Sequence, residues 1–217
     1  MDQQEPTELI LDVFTDPRSV RDVVKGKQDP PSPFPVIQKP RDVISRILHT
    51  IFFHRFFPAV TPQTREVLDL SLPYVDNDEL ETMIDQRAAA LERQLDAERS
   101  SAGTGGAGGG GSRGQFTVQF FEKRRRKAWL TRGDDEVCWE CWTLKVTVAE
   151  PKTESERAKV RRAMEQTLQT TVMKIVTFVN THKDHIPPIT TQGVNPFPYK
   201  ITVDQKESSW ANRMRMY

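Results

Sequence analysis

Residues 128–148 read AWLTRGDDEVCWECWTLKVTV and hold three of the four tryptophans and both cysteines of the 217-residue chain. From Trp142 to Val148, apolar side chains occupy every second position. This period of two is typical of a strand with one buried face. Residues 115–122 alternate in the same way. We therefore predict an antiparallel hairpin of residues 115–122 and 140–149 with a long tip.

The same periodicities assign the rest of the chain. Alternating apolar residues predict strands near residues 9–14, 68–74 and 199–203. Apolar residues three and four apart predict helices near residues 44–52, 80–95 and 153–181. Asp76 with Glu79, and Thr153 with Glu156, are candidate capping boxes for the second and third helices. This order predicts an α+β domain in which three helices back one mainly antiparallel sheet.

Two segments are predicted to be connectors. Residues 17–40 contain six of the fifteen prolines, which favours an irregular, partly extended loop. Residues 100–114 contain eight of the eleven glycines and no apolar anchor, which is typical of a flexible coil. Both segments look like insertions into a single domain that spans residues 8–217.

The composition excludes several classes of protein. The 31 basic and 30 acidic residues leave a net charge of +1, which does not favour binding to nucleic acid or to a membrane surface. Residues 1–8 are polar and acidic, unlike a secretory signal, and no apolar run reaches the ~18 residues of a membrane span. Two cysteines without a signal indicate a reducing compartment, so a cytosolic or nuclear protein without a membrane span is expected.

The cysteines and histidines are the candidates for chemistry. Cys138 and Cys141 match C-x-x-C, but a redox motif of this kind opens a helix, whereas here the motif opens a strand. Side chains three apart on a strand point to opposite faces, so the two thiols should diverge. Zinc would need two more ligands, and the histidines are scattered at positions 49, 54, 182 and 185. We predict no metal, no cofactor and no disulfide here.

No catalytic residues are predicted either. His49 and His54 lie in an otherwise apolar helix and are interpreted as structural. His182 and His185 stand at the end of the long helix, where positive charge complements the helix dipole, and no nucleophile lies nearby in sequence. A deep polar pocket lined by both of them would instead indicate an enzyme.

The predicted hairpin tip carries charge and one tryptophan. Residues 123–127 form a basic block that is either an import or nucleic-acid patch or a charged hairpin arm, and acidic residues at 134–136 on the return strand favour the arm. Trp129 is out of register with the apolar faces of both strands. Such a tryptophan either folds back onto the domain or is offered to a partner, and periodicity leaves both alternatives open.

The long helix has more apolar surface than one packing face needs. Within VMKIVTFV (residues 172–179), apolar side chains cover roughly 220° of the helix, against about 100–140° for a single packing face. The core stripe is assigned to Val172, Ile175, Val176 and Val179. Met173 and Phe178 flank this stripe, so we predict that they face a partner.

Five colinear segments show a resemblance to a known family. They are ILHTIFFHR (47–55), FFEKRRRKAW (120–129), WECWTLKVTV (139–148), TESERAKVRRAMEQTL (153–168) and HIPPITTQ with PYKITV (185–203). Together they resemble the autophagy-related protein 101 family, HORMA-domain subunits of the autophagy-initiation kinase complex. The resemblance covers most of the chain from residue 8 to 216, apart from the two connectors.

The resemblance implies a HORMA fold without catalysis or cofactor. It implies pairing with the HORMA domain of autophagy-related protein 13, stabilisation of that partner, and a location in the cytoplasm at the preautophagosomal structure. The family recruits downstream autophagy factors through a Trp-Pro-Phe finger at the hairpin tip. Trp129 matches the finger tryptophan, whereas Leu130 and Thr131 occupy the next two positions, so the second aromatic residue is absent. Trp129 and Leu130 are the expected finger residues.

A different function is compatible with the same domain. A chromosome-associated or checkpoint-type HORMA adaptor would close on peptide motifs, and residues 123–127 would then serve as an import signal. Autophagy partners and chromatin partners do not overlap, so the proteins that bind the chain distinguish the two alternatives.

Overall fold

The structure is a computed structural model. It describes residues 5–15, 40–57, 61–68, 70–102, 112–125, 134–149, 151–189 and 195–204. The strands are β1 (Thr7–Thr15), β2 (Gln63–Val67), β3 (Leu70–Tyr74), β4 (Arg113–Arg125), β5 (Asp134–Val148) and β6 (Tyr199–Asp204). The helices are α1 (Pro40–Arg55), α2 (Asp78–Ala102) and α3 (Glu154–Thr181). These elements confirm the predicted α+β class and its three helices.

The predicted hairpin forms the centre of a four-stranded sheet. Its strand order is β1-β5-β4-β6, and β4 pairs with β5 and with β6 in antiparallel fashion. The first strand pairs with β5 in parallel, which makes the sheet mixed. Pairing with β6 ends at Phe120, and pairing with β1 ends at Glu140. Beyond these residues the two hairpin strands pair only with each other, so they extend past the body of the sheet.

Strand β2 was not predicted, and the prediction of a single sheet is wrong. Strands β2 and β3 form a separate antiparallel pair. The sequence of β2, QTREV, is mostly polar and exposed, so it lacks the apolar alternation that identifies a strand. Side-chain contacts add to its backbone pairing with β3. The guanidinium carbon of Arg65 lies 3.9 Å from the centre of the Tyr74 ring, and Nη1 of Arg65 lies 2.7 Å from a Glu81 carboxylate oxygen of α2.

The helices pack on one face of the main sheet around α1. This helix contacts both α2 and α3, and the apolar positions assigned to it from periodicity are all buried: Ile44, Ile47, Leu48, Ile51 and Phe52. The inward positions of the hairpin strands are buried as well: Phe116, Val118, Phe120, Trp142, Leu144, Val146 and Val148. The alternate positions on the other face of the hairpin are largely polar, as expected for an antiparallel pair with one solvated side.

The two helix starts differ in how well they were predicted. At α3 the capping box is confirmed, because Thr153 accepts a hydrogen bond from the Glu156 backbone while the Glu156 carboxylate accepts one from the Thr153 backbone. At α2 the prediction is wrong by one residue. There the side-chain oxygen of Asn77 accepts a 2.8 Å hydrogen bond from the Leu80 backbone, so Asn77 is the cap instead of Asp76.

The glycine-rich connector is shorter than predicted. Helix α2 continues to Ala102, and β4 begins at Arg113. Gly114 therefore belongs to a strand, and a Cβ atom at this position would lie 2.4 Å from Cδ1 of the buried Leu91. Here glycine allows α2 and β4 to approach closely. Residues 103–111, like residues 16–39 of the proline-rich segment, lie outside the described residues.

Candidate partner-binding surface

The outer face of α3 is the strongest candidate for a binding surface. Met173 is 57% exposed and is one of three large exposed apolar residues in the described part of the chain. It lines a shallow recess between α3 and β1, together with Leu9, Gln169, Thr177 and His182. None of the residues lining this recess carries a carboxylate. The recess can accept an apolar side chain of another protein.

Phe178, the other residue predicted to face a partner, is a core residue. It is only 8% exposed and packs edge-on against Trp142, with ring centres 5.1 Å apart. The core stripe of α3 is Met164, Leu168, Thr171, Ile175, Phe178 and Val179, with Val172 and Val176 only half-buried. The predicted stripe is rotated around the helix axis relative to the observed one. The apolar run covers more of the circumference than one packing face needs, so it does not define which part is buried.

The orientation of α3 is held by contacts with the first strand. The Thr171 hydroxyl donates a 2.9 Å hydrogen bond to the Asp12 backbone carbonyl. Thr171 is itself buried, so this bond lies within the packed face. A polar anchor inside an apolar contact restricts sliding of the helix, because a shift would leave buried polar atoms unpaired. The face that carries Met173 therefore points consistently away from the core.

The hairpin arm has opposite charges on its two strands. Lys123 lies opposite Glu136, Arg124 opposite Asp135, and Arg125 opposite Asp134. Cross-strand neighbours of opposite charge favour a hairpin, and the Arg124 guanidinium lies 2.6 Å from the Glu122 carboxylate of its own strand, so acidic residues balance the described part of the basic block. The tip, residues 126–133, lies outside the described residues, and so do Trp129 and Leu130.

A buried ionic cluster lies where α1, β5 and the segment after α3 meet. Arg55 is 2% exposed, and its guanidinium donates to the fully buried Glu140 carboxylate at 2.7, 2.9 and 3.0 Å. The Trp142 indole N–H donates to the same carboxylate, and Nε2 of His185 lies 2.6 Å from it. Sequence reasoning missed this cluster. The available signal was a glutamate at an inward strand position, inside WECW.

Comparison with known proteins identifies the family. A family model described as Autophagy-related protein 101 matches residues 37–193, which is most of the chain. This chain belongs to the autophagy-related protein 101 family.

Relatives of the same name occur in distant organisms. Autophagy-related protein 101 of Arabidopsis thaliana is 27% identical over 190 residues, covering 78% of this chain and 82% of the relative. The Schizosaccharomyces pombe protein is 26% identical over 175 residues, covering 80% and 85%. The Homo sapiens protein is 27% identical over 183 residues, covering 72% and 78%. Membership of the family supports a role in autophagy, and the α+β architecture is consistent with a HORMA-like fold.

In this autophagy-related protein 101 family member, the cysteines lie in a distorted part of β5. In the pairing of β4 with β5, Phe120 lies opposite Glu140, whereas Phe121 lies opposite Cys138. The register therefore shifts by one residue between Phe120 and Phe121. Trp139 is the extra residue of this β-bulge, which turns its ring onto Phe197, with ring centres 5.1 Å apart. Both thiols are free. Burial, together with the nearby Glu140 charge, raises the pKa of the Cys138 thiol, which makes it a poor nucleophile.

The four histidines do not form a common site. His182 caps the end of α3 and lines the same recess as Met173, whereas His185 lines a separate recess of about 220 Å³ with Trp139 and Asp184. His49 is buried in the core, and burial also lowers the pKa of His54, with a further contribution from the charge of Arg55. His182 and His185 thus line two different recesses.

Neither a metal-ligand cluster nor a membrane-spanning helix is found in the described part of the chain. These residues contain no group of three or more histidine, cysteine, aspartate or glutamate side chains that could hold a metal ion. None of their helices combines the length and hydropathy needed to cross a membrane.

Proposed function

We propose that this chain is a non-catalytic scaffold subunit of the autophagy-initiation kinase complex. In this role it pairs with the HORMA domain of autophagy-related protein 13 through the outer face of α3 and stabilises that partner. The observation that carries the proposal is Met173, a large apolar side chain left exposed on a helix whose opposite face is buried from Met164 to Val179. Exposed apolar residues beside an apolar recess are typical of protein interfaces.

A second contact is proposed at the hairpin tip. In the described residues, the arm of β4 and β5 extends past the body of the sheet, and residues 126–133 connect the ends of its two strands. Trp129 and Leu130 in that tip would bind a downstream autophagy factor. This arrangement would bring the factor to the preautophagosomal structure, in the cytoplasm, without using the α3 face.

Replacing Met173 by glutamate tests the pairing surface. A carboxylate forced into an apolar contact loses its hydration without gaining a partner, which costs about 2 kcal/mol, or roughly thirtyfold in the Kd for the HORMA partner. The isolated chain should keep its melting temperature, because Met173 is exposed. Calorimetric titration with the HORMA domain of autophagy-related protein 13 measures the loss.

The matched control for this variant is Ile10→Glu. Ile10 is 49% exposed, and it alternates along β1 with Leu9 and the buried Leu11, so it lies on the other face of the sheet. The same chemical change at this position should leave pairing intact. Equal losses for the two variants, or unfolding of Met173→Glu, would place the interface elsewhere.

Replacing Trp129 by alanine tests the finger. A tryptophan anchor commonly contributes about 2 kcal/mol or more at an interface. We expect pairing with the HORMA partner and the melting temperature to stay unchanged, while autophagosome formation falls in part, because Leu130 and Thr131 replace the second aromatic residue. Counting autophagosomes in starved cells that carry Trp129→Ala or the control Thr131→Ala measures the effect. A large loss of stability would instead show that Trp129 is part of the core.

Affinity purification from the native cell tests the proposal as a whole. We expect autophagy-related protein 13 to co-purify in stoichiometric amount, before and after starvation. Recovery of chromatin proteins instead would favour the chromosome-associated adaptor. The family assignment argues for the first outcome, because the curated relatives are named for autophagy.

A further inference from the structure

The exposed side of α3 forms a continuous ridge opposite the core stripe. We define the α3 ridge by its most outward positions, which are Lys159, Arg162, Gln166, Gln169, Met173 and Thr177. All six are exposed, and at about 100° per residue they fall within a stripe of roughly 80°. From Lys159 to Met173 the ridge extends about 21 Å along the helix axis. It is long enough to meet one continuous surface of a partner.

Charge is unevenly distributed along this ridge. Both charged members, Lys159 and Arg162, lie in the N-terminal half, and the ridge contains no carboxylate. Two other arginines near them in sequence lie on another side of the helix and are paired within it: Arg157 lies 3.1 Å from Glu154, and Arg161 lies 3.0 Å from Glu165. Opposite charges three or four positions apart stabilise a helix, as these two pairs do.

The two ridge cations differ from those neighbours. Within the described part of the chain, neither Lys159 nor Arg162 forms an ion pair. Backbone hydrogen bonds from Lys152 and Thr153 are the main reason that the pKa of the Glu156 carboxyl is lowered, and the charge of Lys159 contributes least. Two exposed cations three residues apart therefore project from one face of the helix without forming an ion pair.

We propose that the α3 ridge selects a partner with acidic side chains opposite Lys159 and Arg162 and an apolar side chain opposite Met173. This inference rests on the proposed pairing through α3 and states the chemistry of the surface that fits it. Charges at the edge of an apolar contact mainly steer encounter and set the register of the two surfaces. The apolar contact at Met173 holds the complex, and the basic end orients it.

The test is a double charge reversal on the full chain, Lys159→Glu with Arg162→Glu. The matched control is Arg113→Glu with Lys200→Glu, which also replaces one arginine and one lysine. Arg113 and Lys200 are exposed on β4 and β6, at positions that alternate with inward residues, so they lie on the face of the sheet away from α3. The probe is the HORMA domain of autophagy-related protein 13, titrated at low and high NaCl.

We expect the ridge reversal to raise the Kd about tenfold at low salt, whereas the control should change it by less than about twofold. For the unaltered chain the Kd should rise with added NaCl, and for the ridge variant this rise should vanish or reverse in sign. Circular dichroism should show that both variants are folded, because all four altered side chains are exposed.

The outcomes separate this inference from the proposed function. Equal effects of the ridge and control reversals would overturn the inference, and a loss of binding in Met173→Glu would still support pairing through α3. A Met173→Glu variant that binds normally would overturn the pairing surface, and the inference with it. A Kd that does not depend on salt in the unaltered chain would likewise contradict an acidic partner surface.

Discussion

Replacing Glu140 by alanine is expected to lower the free energy of unfolding by about 3–5 kcal/mol, the largest effect we predict for a single substitution. Glu140 is fully buried and accepts hydrogen bonds from the equally buried Arg55 and from Trp142. Without the carboxylate, the guanidinium would stay in the core with no opposite charge. Urea denaturation measures the loss directly, and a fall of about 10 °C in the melting temperature should accompany it.

Two comparison variants isolate the cause of this loss. Glu165→Ala breaks a partly exposed Glu–Arg pair of similar length within α3, and it should cost less than about 1 kcal/mol. The double variant Arg55→Met with Glu140→Gln removes both charges and keeps an acceptor for Trp142. It should be more stable than Glu140→Ala. If the double variant is the less stable of the two, unpaired charge does not explain the effect.

Acidification below pH 6.5 is expected to destabilise the domain through His49. Burial, and then the positive charge of Arg46, lower the pKa of His49 in the folded protein to about 4. In the unfolded chain this imidazole titrates near pH 6.5, so between these values the unfolded state binds more protons. The free energy of unfolding therefore falls as the pH drops, by up to about 3 kcal/mol by pH 4.

The variant His49→Phe removes this titration and keeps an aromatic ring near Tyr74, whose ring centre lies 5.7 Å from that of His49. Between pH 6.5 and 4 its stability should depend less on pH than that of the unaltered chain. His182→Gln, at an exposed position, is the control and should leave the profile unchanged. His54 contributes in the same direction as His49, so some acid sensitivity remains in the variant. Identical profiles for all three proteins would contradict the role of His49.

Much of the fold was predicted because burial follows a simple period. The alternation around Trp142 and the spacing of Ile44 to Phe52 each match one face of an isolated element, and both were confirmed. The capping box at Thr153 was found for a similar reason, since its two hydrogen bonds join residues three apart. Local geometry of this kind is fully contained in a short stretch of sequence.

The failures share a different cause. Strand β2 is polar, and Arg65 connects it to Tyr74 of β3 and to Glu81 of α2. Phe178 belongs to an apolar run that could face either way, and its contact with Trp142 decides the direction. Gly114 was placed in a loop because of its neighbours, although the approach of Leu91 requires it within a strand. In each case the deciding neighbour is distant in sequence.

The sequence by itself determined the α+β class, the hairpin, the three helices and the family, because periodicity and colinear motifs are properties of the chain alone. Tertiary structure decided which side of α3 stays exposed, where β5 bulges, and that Arg55 and Glu140 meet in the core, 85 positions apart in sequence. The physical reason is that a pattern shows which side chains avoid water. Which surfaces then cover them depends on packing between elements, and so do the residues left for a partner, such as Met173.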